Sequence, residues 1–299
     1  MSVTLANAKL LGLDDKQSAL AEEIITVDEL YAVLPFVPVS GNAYTYEREL
    51  ALVTAAGIAI DGTLTPGQST YAEVTVPLTT LAAQVEVNKL LQAQGVGALV
   101  DGGLVASQLA RAAKSVGRLY AQWFITGDAG TTGQFSGLQT LLATAAFDNQ
   151  RIDAADAALS FEMLDSLVSA VKLRRADAIV LSQKARNKVK SLMRAAGGVT
   201  MAEVGGRQIL TYDGIPLIAN DWTGTDVDGV TAGAQENIYA VCLGDDGVSG
   251  LTTGSMAGIN AELVGTHATK DQDIWRVKFY SSLAVHSTKS VAQLLSVTV

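Results

Sequence analysis

The sequence predicts an α+β fold, and three observations carry the prediction. One helix is far longer than the rest, strand alternation lies on either side of it, and helix and strand patterns alternate later in the chain. The long helix covers residues 99–127, with 103–126 as its core. Val105, Leu109, Ala112, Val116, Leu119 or Tyr120, and Trp123 recur at three- and four-residue steps, the spacing of one buried stripe. Ser107, Arg111, Lys114, Ser115, Arg118 and Gln122 fill the other faces, while Gly102, Gly103 and Gly127 mark the ends. At about 1.5 Å per residue this core is roughly 36 Å long, enough to cross a domain and serve as its spine.

Residues 1–40 carry a short helical pattern around Asp14 to Leu30, then the extended YAVLPFVPVS, where Pro35 and Pro38 exclude helix. This reads as an arm (1–42) whose apolar residues, Phe36 among them, are expected to lie on another element or another subunit. AYTYERELAL (43–52) and EVTVPLTTLAAQVEVNK (73–89) alternate as strands. The connector AAGIAIDGTLTPGQSTY is rich in Gly, Thr and Ser, with turn signals at Asp61-Gly62 and Pro66-Gly67. Two strands joined by so long a polar connector predict a protruding hairpin over residues 43–90. Beyond the spine, Ser160 caps an expected helix FEMLDSLVSAVKLRR, AIVLS (178–182) is a buried-strand run, and QKARNKVKSLMRAA is a second helix with Ala185, Val189 and Leu192 inward. Tyr212 to Asn220 is expected as one strand, edge or bent because of Gly214 and Pro216, and Asn237 to Leu243 as another. INAELVG and DIWRVKFYSSLAVHS are strand material that rejoins the spine, with SVAQLLSV returning to the later domain.

Composition narrows the class. A chain of 299 residues that is 48% hydrophobic can bury a sizeable core. No run reaches the roughly 20 apolar residues that span a bilayer, and no membrane partner is expected. The single Cys242 excludes intrachain disulfides. A net charge of −9 argues against tight phosphate binding by the chain as a whole, and 17% charged residues leave a weakly charged surface suited to contact with other chains.

Catalytic and cofactor chemistry is thin. Only His267 and His286 are available, neither in a helical pair nor beside Cys242. Gly127, Gly130, Gly133 and Gly137 lack the Gly-Lys-Ser/Thr of a phosphate loop and read as a turn leaving the spine. Asp226 and Asp228, like Asp245 and Asp246, precede glycine without the other ligands of a calcium loop. No catalytic residue, cofactor or metal site is expected, and the chain is read as no enzyme. The most uneven charge is Lys172, Arg174, Arg175, then Lys184, Arg186, Lys188, Lys190 and Arg194. Lys184 and Lys188 share one face, a solvated face or one that meets acidic groups of a neighbouring subunit or a genome.

The order of an apolar arm, the hairpin DGTLTPGQSTYAEVTVPLTTLAAQVEVNKLLQ, a spine ending in FITGD, GDAGTTGQFSGLQTLL, YDGIPLIANDW and DIWRVKFYSSLAV resembles the major capsid proteins of tailed bacteriophages, with the Hong Kong 97-type capsid fold. That resemblance implies an extended loop (E-loop) over a neighbouring subunit and a peripheral domain (91–149 and 251–289) carrying the spine. It also implies an α/β axial domain (150–250 and 290–299) at the centre of hexamers and pentamers. The implied function is an icosahedral virion shell around double-stranded DNA, which would be touched weakly and without sequence preference. Implied partners are the chain itself, a portal protein, and scaffolding and decoration proteins, with assembly in the bacterial host cytoplasm. Inter-subunit contact is expected at Asp61, Thr63, Thr65, Gln68, Tyr71, Phe36, Lys184 and Lys188. Some relatives link subunits through a loop lysine, but no lysine lies between Lys16 and Lys89, so a non-covalent shell is expected. The chain opens on an arm and not on a charged helical leader, so any scaffold is expected as a separate chain. An encapsulin-like compartment holding cargo protein is the alternative.

Overall fold

A computed structural model describes residues 29–30, 33–58, 60, 62–63, 66–93, 103–204, 207–220, 222–224, 235–254 and 258–299. The helical pattern expected before residue 29 lies outside these. In chain order the strands are β1 (Phe36–Val39), β2 (Ala43–Ala51), β3 (Thr70–Pro77), β4 (Thr79–Asn88), β5 (Arg151–Asp153), β6 (Ala178–Leu181) and β7 (Thr200–Val204). They continue with β8 (Arg207–Tyr212), β9 (Ile215–Ala219), β10 (Gln235–Val241), β11 (Val248–Thr253), β12 (Asn260–Thr266), β13 (Gln272–Val285) and β14 (Val291–Thr298). The α-helices are α1 (Lys89–Ala93), α2 (Gly103–Thr126), α3 (Leu138–Leu142), α4 (Phe161–Ala170) and α5 (Gln183–Ala195).

The long strand β13 organises the first sheet. Its N-terminal part pairs with β12 on one side and β4 on the other, from Gln272↔Asn88 to Ser281↔Thr79; its C-terminal part pairs with β11, which carries β1 at the edge. Side chains alternate across a strand, so successive residues of β13 serve different layers. Val277, Phe279, Leu283 and Val285 join the core under the spine α2, built on Val116, Tyr120, Phe124 and Ile125. Ala284 points the other way, into a cluster with Val39 and Leu251 on which Tyr44, Tyr46, Val76 and Leu78 pack. The spine and the base of the β2–β3 hairpin therefore cover opposite faces of one sheet.

A second sheet has the order β5-β14-β10-β6-β9-β8-β7. One face, with Ile179, Leu181, Ile238 and Leu294, takes both α4 (Leu164, Leu167) and α5 (Ala185, Val189, Met193). The other, with Ala178, Val180, Ile218 and Tyr239, shares the core of the spine. The spine thus joins both sheets, and Asn220 Nδ2 donates to Ala121 O (3.2 Å) across that junction.

Several elements differ from expectation for definable reasons. The 73–89 run is two strands: β3 stays with β2, and after Pro77 the chain turns at Leu78, whose N–H donates to Asn42 O (3.0 Å), before β4 joins β13. Helix α4 stops at Ala170, not Arg175, because Val171 is extended and the N–H groups of Lys172 and Leu173 donate to Lys289 O instead. Residues 212–220 are not one strand. Asp213 (φ 49°) and Gly214 (φ 76°) form a two-residue hairpin turn between β8 and β9, of the type Asp-Gly favours. Pro216 is not at an edge, since β9 lies between β6 and β8. It sits one step past the pair closing the turn, and pairing with β6 begins only at Leu217, so no ladder bond needs its missing N–H. On α5 the third buried residue is Met193, with Leu192 half-buried.

Pro38 is tolerated in β1 because that strand is an edge, tied in parallel to β11 from Phe36↔Gly250 to Val39↔Thr253. The described end of the arm is accordingly part of the chain's own core: Leu30 and Leu34 are buried there.

Candidate assembly surface

The β2–β3 hairpin is antiparallel from Ala43↔Pro77 to Ala51↔Thr70. Tyr44, Tyr46 and Arg48 alternate onto one face and clamp its base to the end of β13. Tyr46 Oη donates to Val285 O (2.7 Å), and Arg48 donates to Val285 O (2.6 Å) and His286 O (3.0 Å). The Arg48 guanidinium also lies over the Phe147 ring, 5.5 Å from its centroid. His286 Nδ1 faces Gly247 O at 3.0 Å, which can only accept, and Nε2 lies 3.2 Å from the Tyr44 hydroxyl. Burial raises the Tyr46 phenol above its ordinary value, although Arg48 pulls the other way.

Beyond the clamp the ribbon is open. Leu50 is 60% exposed, Leu52 73% and Tyr71 62%, with Val53, Ile58 and Ile60 exposed as well. Leaving that many large apolar groups in water costs on the order of 1.5 kcal/mol or more each relative to burial, which favours a covering surface.

The expected contact residues distribute unevenly. Thr63, Gln68 and Tyr71 are exposed on the ribbon. Asp61 and Thr65 lie outside the described residues. Phe36 is half-buried, and its ring packs on Tyr120 (5.7 Å) and Phe279 (5.9 Å) of its own chain, with Gly250 leaving room for it. Lys184 is exposed and Lys188 half-buried on α5, while Arg186 pairs with Glu29 at 2.8 Å. The clamp residues Tyr44, Tyr46 and Arg48 were not singled out from the sequence, though their two-residue spacing was a signal.

The other candidates have structural surroundings. Cys242 is buried, its thiol raised chiefly by desolvation, with Sγ 3.4 Å from the carbonyls of Arg174 and Arg175. His267 accepts from Thr269 N–H (3.2 Å) in an exposed turn. Gly137 N–H donates to Gly127 O (2.9 Å), closing the turn after the spine. Asp245 and Asp246 are exposed in the turn before β11; Asp226 and Asp228 lie outside the described residues. Among the described residues no group of three His, Cys, Asp or Glu side chains is placed to hold a metal.

No protein-family model matches the chain, and no curated protein matches it. Solved structures match over its whole length. An encapsulin complex from Synechococcus elongatus PCC 7942 aligns with a TM-score of 0.72 at 18% identity, covering 100% of this chain and 97% of that one. The capsid of cyanophage A-1(L) aligns at 0.67 and 15% identity, covering 96% and 97%. A protein of Microbacterium phage Oxtober96 aligns at 0.66 and 13% identity, covering 99% of each. With its spine between two sheets, its clamped ribbon and this full-length likeness, the chain has the Hong Kong 97-type capsid fold.

Proposed function

We propose that this chain is the major capsid protein of a tailed bacteriophage, a non-enzymatic subunit that assembles into hexamers and pentamers of an icosahedral shell enclosing double-stranded DNA. The observation that carries the reading is the exposed apolar ribbon on a chain whose fold is that of shell proteins along its full length. We read the ribbon as an E-loop, the region of the spine and first sheet as peripheral, and the second sheet with α4 and α5 as axial. Many modest contacts between identical copies become effectively permanent once each subunit is held by several neighbours. Assembly in the host cytoplasm, a portal, and separate scaffolding and decoration proteins belong to the same reading. The shell is non-covalent, because the ribbon has no lysine to supply an amine. A denaturing gel of purified particles should show one band at the subunit mass of 31.1 kDa; a ladder would refute this.

The experiment is electron microscopy of the overexpressed protein, with nucleic acid analysis of native particles. Closed particles are expected; a monodisperse small species would count against the reading. A second reading, an encapsulin-like compartment, is favoured by the likeness to the Synechococcus encapsulin complex. Native particles filled with a cargo protein and free of DNA would select it.

A further inference from the structure

We propose that the outward stripe of the α2 spine, Arg111, Lys114 and Arg118, is the surface on which packaged double-stranded DNA rests, the three cations facing phosphates of one strand. The inference rests on the shell reading and adds which side of the subunit meets the polymer and through which side chains.

A net charge of −9 sets the condition, because a subunit this acidic can meet a polyanion only where its charge is locally reversed. Two helices offer such a reversal. The spine carries Arg111, Lys114 and Arg118 at steps of three and four residues, and α5 carries Lys184, Arg186, Lys188, Lys190 and Arg194; neither helix contains an Asp or Glu. They lie on different sides of the molecule. Helix α5 packs on the face of the second sheet turned away from the spine's core, as the ribbon base covers the face of the first sheet turned away from it. A closed shell has one inner side, so DNA meets one of the two helices.

The charges around each helix decide between them. On the side of α5 the cations are answered by acids: Glu162 and Asp165 are exposed on α4, Glu47, Glu49 and Glu73 are exposed on the ribbon, and Arg186 is already paired with Glu29. The spine has no such company of its own. Its exposed residues are Ala106, Ala110, Arg111, Lys114 and Ser115, all small or cationic, and Arg118 follows half-buried with its guanidinium 5.7 Å from the centroid of Trp222. The spacing suits the polymer. From Arg111 to Arg118 the helix covers about 10 Å at about 1.5 Å per residue, and one strand of DNA presents about three phosphates over that length at about 3.4 Å each. Three contacts without base readout hold weakly and let DNA slide, as filling a shell requires.

The test is binding of a duplex of about 30 base pairs to the full chain kept unassembled by dilution, followed by fluorescence anisotropy between about 50 and 200 mM salt. Arg111→Gln with Lys114→Gln removes two phosphate contacts, so wild-type affinity should fall about tenfold more than this variant's over that range. Lys184→Gln with Lys188→Gln on α5 should leave the wild-type fall unchanged. Equal falls for wild type and the spine variant, or the same loss from the α5 pair, would overturn the proposal. Arg111→Lys with Lys114→Arg keeps both charges and should bind as wild type does; if it loses the salt dependence, the stripe serves the fold and not DNA, and the proposal fails. Closed, DNA-filled particles from a chain without spine-dependent binding sink this inference alone. Spine-dependent binding by a chain that forms no closed particles sinks the shell reading alone.

Discussion

Arg48 shows how one side chain positions a whole ribbon. It donates to two carbonyls at the end of β13 and covers Phe147, while Tyr46 beside it donates to the same Val285 O. Arg48→Ala should cost about 1–3 kcal/mol, because bonds from a charged donor are lost and carbonyls are left without partners. Denaturant unfolding measures the cost, and amide exchange should quicken first over residues 43–49. Tyr46 gives the pH dependence. Its phenol is raised in the folded chain, so the folded state keeps a proton that the unfolded chain releases near its ordinary value of 10.0. That contribution is fully present below about pH 10 and is lost as pH rises through the folded value. Burial and Asp165 raise Tyr212 in the same direction, so stability should decline in alkali, and Tyr46→Phe should flatten the decline. Measuring the unfolding midpoint from pH 8 to 11 checks the sign.

At the scale of elements, the join between spine and second half depends on two glycines. A Cβ on Gly137 would fall 2.4 Å from Trp123 O and 2.6 Å from Ile125 O, and one on Gly127 would meet Phe135 O and Trp123 O as closely. These three carbonyl oxygens are backbone atoms, which cannot swing aside. Gly137→Ala should therefore destabilise by more than the 1–3 kcal/mol typical of overpacking among side chains, with loss of soluble yield as the readout. Gly133 in the same segment meets nothing within 4 Å, and although its φ of +87° favours glycine, its substitution should be milder. The sequence read all four glycines of this segment as one turn. Which of them are sterically required depended on where the carbonyls of α2 ended up.

For the whole molecule, the proposed shell function has the ribbon divide folding from assembly. The described residues from Leu50 to Thr70 are absent from either sheet core, so deleting Asp61 to Ser69 should leave a folded chain with a thermal midpoint within a few degrees of the parent that fails to form closed particles. Circular dichroism and microscopy on one preparation check both halves of that expectation. Normal particles from the deletion would remove the ribbon from the assembly contact.

Local patterns carried much of this fold. The spine runs over Gly103–Thr126 as its periodicity required, Ser160 caps α4 through its hydroxyl, and β6 is buried throughout. These follow from neighbours a few residues apart, and a linear sequence displays such neighbours directly. Tertiary structure alone decided which way surfaces face. Phe36 turns inward because Gly250 leaves space against Tyr120, and the ribbon is held by Val285 and His286, more than 230 residues further on. Spine and ribbon occupy opposite sides of a sheet only because adjacent residues of β13 point apart into two cores. Contacts so distant along the chain leave no periodic trace in it, and for that reason the elements were legible before the surfaces they present.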